Sequence, residues 1–548
     1  MNRHLRLLLL ILLGLLSSAC SESQSPTEPA QSSSSPTPLT ATVDVTGGTI
    51  KGTADADGLK QYHGIPYAAP PVGDLRWAPP APPASWTGTR DASRPGPLCM
   101  QPLSQGGAFY GQTDVNMDED CLTLNVWTRA QTREAALPVM VWIHGGALVT
   151  GGGAAYPGEL LTSGGVVLVT INYRLGRFGF HAHPELSKEN PSGVSGNQGL
   201  RDQIAALEWV QENIAAFGGD PGRVTILGES AGSLSVSLLQ ASPMARGLFH
   251  GVIGQSGASF QPMWFRDRAT SYAPSAESVG SAFGVAAAGE GNDASLAALR
   301  ALPAEQVQAA TDKDPNFLNY DGLAIVDGEV IPKEVAEIFA QGEQADVPVM
   351  IGSNADEATT FLEFFSMSFG EGKTGYTNWR NLTLPEVAAD MDAVYNPNDP
   401  SRAWVDAFSD ALFAYPMRAW AREMQKVSSD AYLYWFTWHP PVENQDFYRA
   451  FHAGEIGYIF GNLTLFNASP TDADRAFSDK LSAIWTQFAK TGNPNGNDIP
   501  DWPAFSIQNE AYMELGPEIA SGSNLRLEEM ALIEKAWQIR RDASQGEE

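Results

Sequence analysis

The first candidate for chemistry is a serine placed between glycines. The segment Gly228-Glu229-Ser230-Ala231-Gly232 follows the apolar run 224–227 and precedes a helix-compatible stretch, so the pattern G-x-S-x-G lies at a strand-to-helix turn. Such a turn needs glycines two residues to either side of the serine, because larger side chains there would clash, and it holds the serine Oγ above the sheet edge. The context predicts that Ser230 is a nucleophile, and an ordinary turn that matches the motif by chance is the alternative.

A serine nucleophile needs a general base, an acid that orients this base, and hydrogen-bond donors for the oxyanion. Proteins with this turn, the α/β-hydrolases, order the three side chains along the chain as serine, acid and histidine. Of the eight histidines, only His439 and His452 follow Ser230 far enough downstream. His439 stands at a strand end before two prolines and His452 in a loop, so position alone leaves both open.

The elements that must position these residues alternate between strands and helices. Short continuous apolar runs are typical of strands buried on both faces of a parallel sheet. Runs of this kind lie at 139–143, 166–171, 224–227, 348–351 and 432–436. Apolar residues at helical spacing predict helices over 202–218 and 481–489. We therefore expect an α/β fold of the α/β-hydrolase type, with a large, mostly parallel central sheet and helices on both faces.

The amino terminus has the pattern of an export signal. Arg3 and Arg6 precede an apolar run, 7–16, that is shorter than the roughly 18 residues a membrane-spanning helix needs. Small residues then lead to Cys20 in a segment that resembles a bacterial lipobox, which predicts lipidation of this cysteine; ordinary cleavage after Ala19 is the alternative. We expect a membrane-anchored bacterial lipoprotein on the periplasmic or cell-surface side, or otherwise a periplasmic or secreted protein, with the lipid anchor as its only membrane contact.

Composition divides the chain into four predicted parts. The signal peptide, 1–19, is followed by a Ser/Pro-rich tether over 20–40 that lacks apolar anchors. No internal repeat or second linker occurs, so residues 41–540 are predicted to form one catalytic domain, and 541–548 a polar tail.

Charge and motif content argue against several classes of function. The 548 residues include 34 Lys and Arg against 63 Asp and Glu, a formal net charge of −29 that repels phosphate backbones and anionic membranes. Nucleic-acid binding is therefore not expected, and the acidic excess is interpreted as a solubility feature, with steering of a cationic substrate as the alternative. No H-E-x-x-H, cysteine cluster or dinucleotide-binding fingerprint occurs, so no metal or organic cofactor is predicted.

Seven longer motifs follow one another over nearly all of residues 42–505. They are GIPYAAPPVGDLRWAPP at 64–80, EDCLTLNVW at 119–127, NYRLG at 172–176, NQGLRDQIAALEWVQENIAAFGGDP at 197–221, VTILGESAGS at 224–233, FHAGEIGYIFG at 451–461 and FAKTGNPN at 488–495. Together they resemble the type-B carboxylesterases, a family that includes para-nitrobenzyl esterases, cholinesterases and the non-catalytic neuroligins. The resemblance implies a hydrolase that cleaves small-molecule carboxylic esters through an acyl-enzyme on serine.

The resemblance also implies three catalytic residues. Ser230 matches the nucleophile, Glu357 the acid and His452 the base. Asp356 is a competitor for the role of acid that the residues alone do not exclude. An adhesion module of the neuroligin kind would lack the nucleophile, so the intact set argues against that alternative.

The oxyanion hole implied by the resemblance departs from the family pattern at one position. The backbone N–H groups of Gly146, Ala147 and Ala231 match the donors, and Ala147 replaces the last glycine of the family's H-G-G-G. Alanine keeps its N–H, so we expect the change to affect the shape of the acyl pocket more than activity. His144, at the start of this loop, is interpreted as structural.

Two cysteines define a further predicted feature. Apart from Cys20, the chain has only Cys99 and Cys121, and an even pair in an exported protein predicts a disulfide, with two buried free thiols as the alternative. The family resemblance assigns the same bond.

Cholinesterases carry a tryptophan in the loop between these two cysteines, which here holds Phe109 and Tyr110 but no tryptophan. Cholinesterase-like specificity is therefore less favoured, and it remains an alternative together with lipase action.

Overall fold

The computed structural model describes residues 36–102, 116–313, 324–496 and 499–545. The predicted signal peptide, Cys20 and nearly all of the predicted tether lie outside these residues. The described residues from Thr37 onward group into one compact unit, and of the other unit, 1–36, only Pro36 is described. Within the described ranges, no helix is both long enough and apolar enough to cross a bilayer.

The described strands form a mixed sheet of eleven strands and a small sheet of three. The strands are β1 (Thr42–Val45), β2 (Gly48–Lys51), β3 (Thr53–Ala54), β4 (Lys60–Pro66), β5 (Thr89–Asp91), β6 (Thr123–Thr128), β7 (Leu137–Ile143), β8 (Val167–Ile171), β9 (Gly219–Glu229), β10 (Gly251–Gln255), β11 (Val349–Asn354), β12 (Ala431–Phe436), β13 (Ala511–Leu515) and β14 (Ile519–Ser523). The large sheet has the order β14-β13-β12-β11-β10-β9-β7-β8-β6-β4-β3. It is parallel from β13 to β8 and antiparallel at both edges. The prediction of a large, mostly parallel sheet is confirmed.

The parallel centre of the sheet contains all five predicted strands. The runs at 139–143, 166–171, 224–227, 348–351 and 432–436 lie in β7, β8, β9, β11 and β12, respectively, with small shifts at their ends. Side chains on both faces of these strands are buried, which is why their sequences are continuously apolar rather than alternating.

Helices surround the sheet. They are α1 (Glu159–Ser163), α2 (Gly176–Gly179), α3 (Pro184–Glu189), α4 (Gln198–Asn213), α5 (Ala231–Ala241), α6 (Ala276–Ala288), α7 (Leu296–Arg300), α8 (Ala304–Thr311), α9 (Val335–Ala340), α10 (Leu362–Phe369), α11 (Gly372–Thr383), α12 (Met391–Val394), α13 (Pro400–Ser409), α14 (Tyr415–Glu423), α15 (Gln445–Tyr448), α16 (Ile456–Phe460), α17 (Asp472–Thr491) and α18 (Leu527–Gln545). The helix predicted over 202–218 is α4 with the following 3-10 turn. The helix predicted over 481–489 belongs to α17, which starts earlier because Thr471 and Asp474 form a capping box.

Two apolar cores lie on opposite faces of the sheet. In β7, Val139, Val141 and Ile143 belong to one core, and Met140 and Trp142 belong to the other, since successive side chains of a strand point to opposite faces. Helices α4, α5, α9 and α14 contribute buried side chains to the first core, and α1, α16 and α17 to the second. The prediction of helices on both faces is therefore confirmed.

A third apolar cluster is built mainly by helices inserted between β11 and β12. It contains buried side chains of α11, α12 and α13, joined by the carboxyl-terminal helix α18. Ala358, in the turn directly after β11, belongs to the same cluster. This group of helices, called the helical layer below, therefore packs against the turn in which the predicted catalytic acid lies.

The described chain is packed at both ends. Thr37 N donates to Glu134 Oε2 at 3.0 Å and Leu39 N to Gln131 O at 2.9 Å, within the segment predicted as tether. At the other end, α18 continues to Gln545, within the segment predicted as a polar tail.

Candidate active site

Ser230 lies at a strained turn between β9 and α5. Its φ of 57° and ψ of −122° fall outside the regions that non-glycine residues favour. Its N–H donates to Gln255 O at 2.8 Å and its carbonyl accepts from Leu234 N at 2.9 Å, so β10 and α5 hold the turn. Ser230 itself is half-buried, whereas Glu229 and Ala231 on either side are buried. The turn therefore presents this serine at the surface of the core, as the sequence motif predicts.

The two glycines of the motif are needed because backbone segments pass too close for a side chain. A Cβ on Gly232 would lie 2.0 Å from Ile143 O at the end of β7. A Cβ on Gly228 would lie 2.5 Å from the backbone of Gly232. Backbone atoms cannot move aside as a flexible side chain can, so these positions accept only glycine without a shift of the sheet.

The structure brings Glu357 and His452 together. Glu357 Oε2 lies 2.6 Å from His452 Nδ1, and the other carboxylate oxygen accepts from Asn354 N at 2.7 Å. Glu357 is 0% exposed and His452 is 3% exposed, so the pair is shielded from water. The alternative base, His439, is exposed. The histidine and the acid that the family resemblance implies are thus neighbours, although 95 residues separate them in the chain.

Asp356, the competing acid, is directed elsewhere. Its Oδ1 pairs with the Arg402 guanidinium and lies 3.6 Å from Arg449 Nη1, while Oδ2 accepts from Ala450 N at 3.4 Å. Adjacent side chains in this turn point in different directions, so of the two neighbouring acids Glu357 is the one that contacts the imidazole.

The second imidazole nitrogen faces another carboxylate. His452 Nε2 lies 3.1 Å from Glu229 Oε1, although the two groups are not aligned for a hydrogen bond. Within the described ranges, no hydrogen bond joins Ser230 Oγ to His452. The imidazole is therefore oriented by Glu357 but turned toward Glu229, the residue before the serine.

A third glutamate completes a buried acidic cluster around the imidazole. Glu455 accepts from Gln255 Nε2 at 2.9 Å and from Asn354 Nδ2 at 2.7 Å. Neither Glu229 nor Glu455 was predicted from the sequence to be functional. Both stand in family motifs, directly before Ser230 and three residues after His452, and this adjacency is the signal that could have found them.

Burial and charge act against each other in this cluster. Burial raises the pKa of Glu229, and the Glu455 and Glu357 carboxylates raise it further, although His452 opposes them. Burial also lowers the pKa of His452, but the carboxylates of Glu229 and Glu357 outweigh this effect and raise it above the ordinary value. The cluster therefore favours the protonated imidazole.

We expect Glu229→Gln to move the acidic limb of the pH–activity profile to lower pH. A general base must be neutral, so activity increases as the pH rises through the pKa of His452. Removing a carboxylate that favours the imidazolium lowers this pKa, by about one unit or more. The measurement is kcat/KM for a para-nitrophenyl ester as a function of pH. Glu386→Gln, which removes a carboxylate paired with Arg540, is the control, and an unchanged midpoint in Glu229→Gln would contradict the expectation.

The predicted oxyanion loop passes beside Ser230. A Cβ on Gly145 would lie 3.1 Å from Ser230 Cβ. Gly146 and Ala147 have φ values of 98° and 59°, so an alanine occupies a backbone region that favours glycine. Within the described chain, the N–H groups of Gly146, Ala147 and Ala231 make no hydrogen bond to protein. Gly146 is half-buried, Ala147 is exposed and Ala231 is the first residue of α5, and the three donors together could bind an oxyanion.

His144 has structural contacts at the start of this loop. Its ring stacks on Tyr173 with centroids 4.5 Å apart, and Nδ1 donates to Gly145 O at 2.8 Å. Burial lowers the pKa of His144 to about 4, so the ring is neutral near pH 7. These contacts agree with its interpretation as a structural residue.

A disulfide lies near the far end of the oxyanion loop and is connected to it through Gln101. Cys99 and Cys121 are bonded, as predicted, and closing the loop between these two cysteines stabilises the fold by about 3 kcal/mol in the chain-entropy model. Gln101 Nε2 donates to Cys99 O at 3.0 Å and to Gly151 O at 2.9 Å, and its Oε1 accepts from Gly151 N at 2.9 Å. Phe109 and Tyr110, named above for the cholinesterase alternative, lie outside the described residues.

Aromatic rings cover the face of the imidazole. The centroids of Phe361 and Phe413 lie 5.0 and 4.7 Å from that of His452, and Phe365 and Phe408 extend this contact into the helical layer. These rings were not predicted from the sequence.

No group of three or more His, Cys, Asp or Glu side chains suited to a metal ion occurs in the described residues.

Comparisons with known proteins agree on one family. The model of the carboxylesterase family matches residues 39–533. The chain is 36% identical to the fumonisin B1 esterase of Sphingopyxis macrogoltabida, over 85% of each chain, and 36% identical to the para-nitrobenzyl esterase of Bacillus subtilis, over 86% of this chain and 94% of that one. The solved structure of the Geobacillus stearothermophilus carboxylesterase EST55 is similar, with a TM-score of 0.77 and 31% identity over 90% of this chain and all of that chain.

Proposed function

This chain belongs to the carboxylesterase family and hydrolyses carboxylic esters to carboxylate and alcohol, and on that premise we propose that Ser230 is the nucleophile, His452 the general base and Glu357 the orienting acid. The observation that supports this assignment most directly is the 2.6 Å contact between His452 Nδ1 and Glu357 Oε2. It lies in a buried site next to a strained serine and three unpaired backbone donors.

The proposed reaction has two acyl-transfer steps. The imidazole turns from Glu229 toward Ser230 and takes the Oγ proton as Oγ attacks the ester carbonyl. Glu357 keeps the Nδ1–H tautomer and stabilises the imidazolium, while the oxyanion accepts hydrogen bonds from the three loop and helix N–H groups. His452 then gives its proton to the leaving alcohol. In the second step His452 takes a proton from a water molecule that attacks the acyl carbon, and it returns this proton to Ser230 Oγ as the acid leaves.

We propose uncharged esters as the substrates. Two phenylalanine rings flank the imidazole, and the cysteine-closed loop has no tryptophan for a cationic alcohol group. Para-nitrophenyl esters of increasing acyl length, assayed beside acetylthiocholine and an emulsified triglyceride, test this proposal. We expect turnover of the para-nitrophenyl series to exceed that of the other two. Preferential turnover of acetylthiocholine would favour the cholinesterase-like alternative, and preference for the emulsion the lipase alternative.

For the location of the enzyme, we propose an exported lipoprotein anchored through Cys20. The support is the sequence order of a signal peptide, small residues before Cys20 and a polar tether after it. Membrane fractions should contain the enzyme, and mass spectrometry should find an acylated Cys20 at the mature amino terminus. Cys20→Ser should release active enzyme into the soluble fraction. A mature chain that begins elsewhere without a lipid would contradict the proposal.

A further inference from the structure

Asp356 is a buried charge that the proposed mechanism does not use. Only 5% of its side chain is exposed, and a carboxylate removed from water must be paired and hydrogen-bonded to be tolerated. The partners are two guanidinium groups, those of Arg402 and Arg449, and the backbone N–H of Ala450. Arg449 and Ala450 stand three and two residues before His452.

The turn containing Asp356 is joined to this segment at several successive points. Asp356 donates from its own N–H to Ala450 O at 3.0 Å and accepts from Ala450 N through its carboxylate. On either side, Thr359 Oγ1 donates to Tyr448 O at 2.9 Å and Asn354 Nδ2 to Phe451 O at 2.8 Å. Segment 448–451 is thus attached to the turn that carries Glu357, directly before His452.

The nearer of the two counter-charges comes from the helical layer. Arg402 lies in α13 and bonds both Asp356 and Asp406, one helical turn further on. Nearby, Ser409 Oγ accepts from Ala358 N at 3.1 Å, so α13 holds the same turn at a second point. Asp356 therefore connects three parts of the chain: the acid-bearing turn, the histidine-bearing segment and the helical layer.

We infer that Asp356 is a positioning residue for catalysis, which keeps His452 in register with Glu357 and Ser230, and that Arg402 is the cation that holds Asp356 in place. The inference rests on the catalytic roles proposed above. It follows from the sensitivity of proton transfer to geometry, since a displacement of about 1 Å can lower a rate by about 10²-fold. The carboxylate acts through the backbone of Ala450 and does not touch the reacting atoms.

The test compares Asp356→Asn and Arg402→Gln with the wild-type chain. We expect kcat and kcat/KM for a para-nitrophenyl ester to fall together by about tenfold or more, with KM nearly unchanged, as for an interaction needed only in the transition state. Glu386→Gln is the matched control. Glu386 accepts two hydrogen bonds from Arg540 on α18, and neither residue of this ion pair contacts segment 448–451. This control should lower the melting temperature and leave kcat unchanged.

A second readout follows the hydrogen bond between His452 and Glu357 directly. The proton of a short, charge-assisted Nδ1–H bond gives a far-downfield NMR signal, and its displacement moves or broadens that signal. We expect this change in Asp356→Asn and Arg402→Gln but not in Glu386→Gln, and partial recovery in Arg402→Lys, which restores the charge. If Asp356→Asn does not fold, Arg402→Gln carries the test, since that side chain is 34% exposed.

The outcomes separate this inference from the proposed function. The inference would be overturned if Arg402→Gln, and Asp356→Asn where it folds, kept the wild-type kcat and the wild-type proton signal. A lower melting temperature as the only change would show that the contact between Asp356 and segment 448–451 is merely structural. An active Ser230→Ala variant would overturn the proposed mechanism itself. Loss of activity in Ser230→Ala together with wild-type behaviour of the Asp356 and Arg402 variants would leave the mechanism standing and remove only the positioning role.

Discussion

Ser230→Ala is expected to lower turnover of a para-nitrophenyl ester by at least about 10³-fold. The hydroxyl is the atom that forms the acyl-enzyme, so no neighbouring group can replace it, although the oxyanion donors and the binding site remain. The fold should persist, because Ser230 Oγ makes no hydrogen bond to the described protein and the strained backbone is held by Gln255 and Leu234. The melting temperature should therefore stay near that of the wild type.

Covalent labelling adds a readout that does not depend on turnover. An organophosphate should modify Ser230 and no other serine in the wild-type chain, and the Ser230→Ala variant should remain unlabelled. Peptide mapping by mass spectrometry identifies the site. Labelling at another serine, together with activity in the variant, would place the nucleophile outside the turn between β9 and α5.

Glu357→Gln is expected to reduce turnover by about 10²–10⁴-fold. The amide keeps the size of the side chain but can present N–H₂ to Nδ1, which favours the wrong imidazole tautomer and removes the charge that stabilises the imidazolium. Removing this carboxylate also lowers the pKa of His452, so the imidazole becomes neutral at lower pH than in the wild type. Raising the pH should therefore not restore the lost turnover, and a pH series of kcat checks this.

The comparison with the neighbouring acid sharpens that prediction. Asp356→Asn should lose less activity than Glu357→Gln, because Asp356 acts on His452 only through the backbone. If the asparagine variant were inactive and the glutamine variant near wild type, Asp356 would be the orienting acid. The contact of 2.6 Å between Glu357 Oε2 and His452 Nδ1 is the reason for expecting the opposite order.

The strands that the sequence predicts are those whose side chains are buried on both faces of the sheet. The strands β7, β8, β9, β11 and β12 are buried on both faces, so each appears in the sequence as an uninterrupted apolar run. The strand β13, which lies next to the edge strand β14, alternates between buried and half-buried residues over Ala511–Leu515, and five such residues do not stand out from an ordinary loop. The helical layer was not predicted, although Tyr376 and Trp379 in α11 and Trp404 and Phe408 in α13 lie at helical spacing. Its packing against α18 joins distant parts of the chain, which local spacing does not reveal.

In the candidate site, the sequence predicts the residues that stand in motifs but not those whose partners are distant in the chain. Ser230 is predicted from the glycines two residues to either side of it, and His452 and Glu357 from the family resemblance. Nothing near Arg402 in the sequence indicates that it pairs with Asp356, and nothing near Glu229 indicates that it faces His452. Such contacts depend on how loops from different strands converge at one edge of the sheet, which a single sequence does not specify.

The bond between Cys99 and Cys121 should determine the specific activity of recombinant enzyme. Gln101 binds both backbone polar groups of Gly151, at the far end of the oxyanion loop, and its own position depends on the bridge two residues away. Chains matured in a reducing cytoplasm lack this bridge, so they should show lower specific activity as well as lower yield. Oxidising expression hosts are therefore the appropriate source of the enzyme, and titration of free Cys99 and Cys121 thiols measures the fraction of each batch that lacks the bridge.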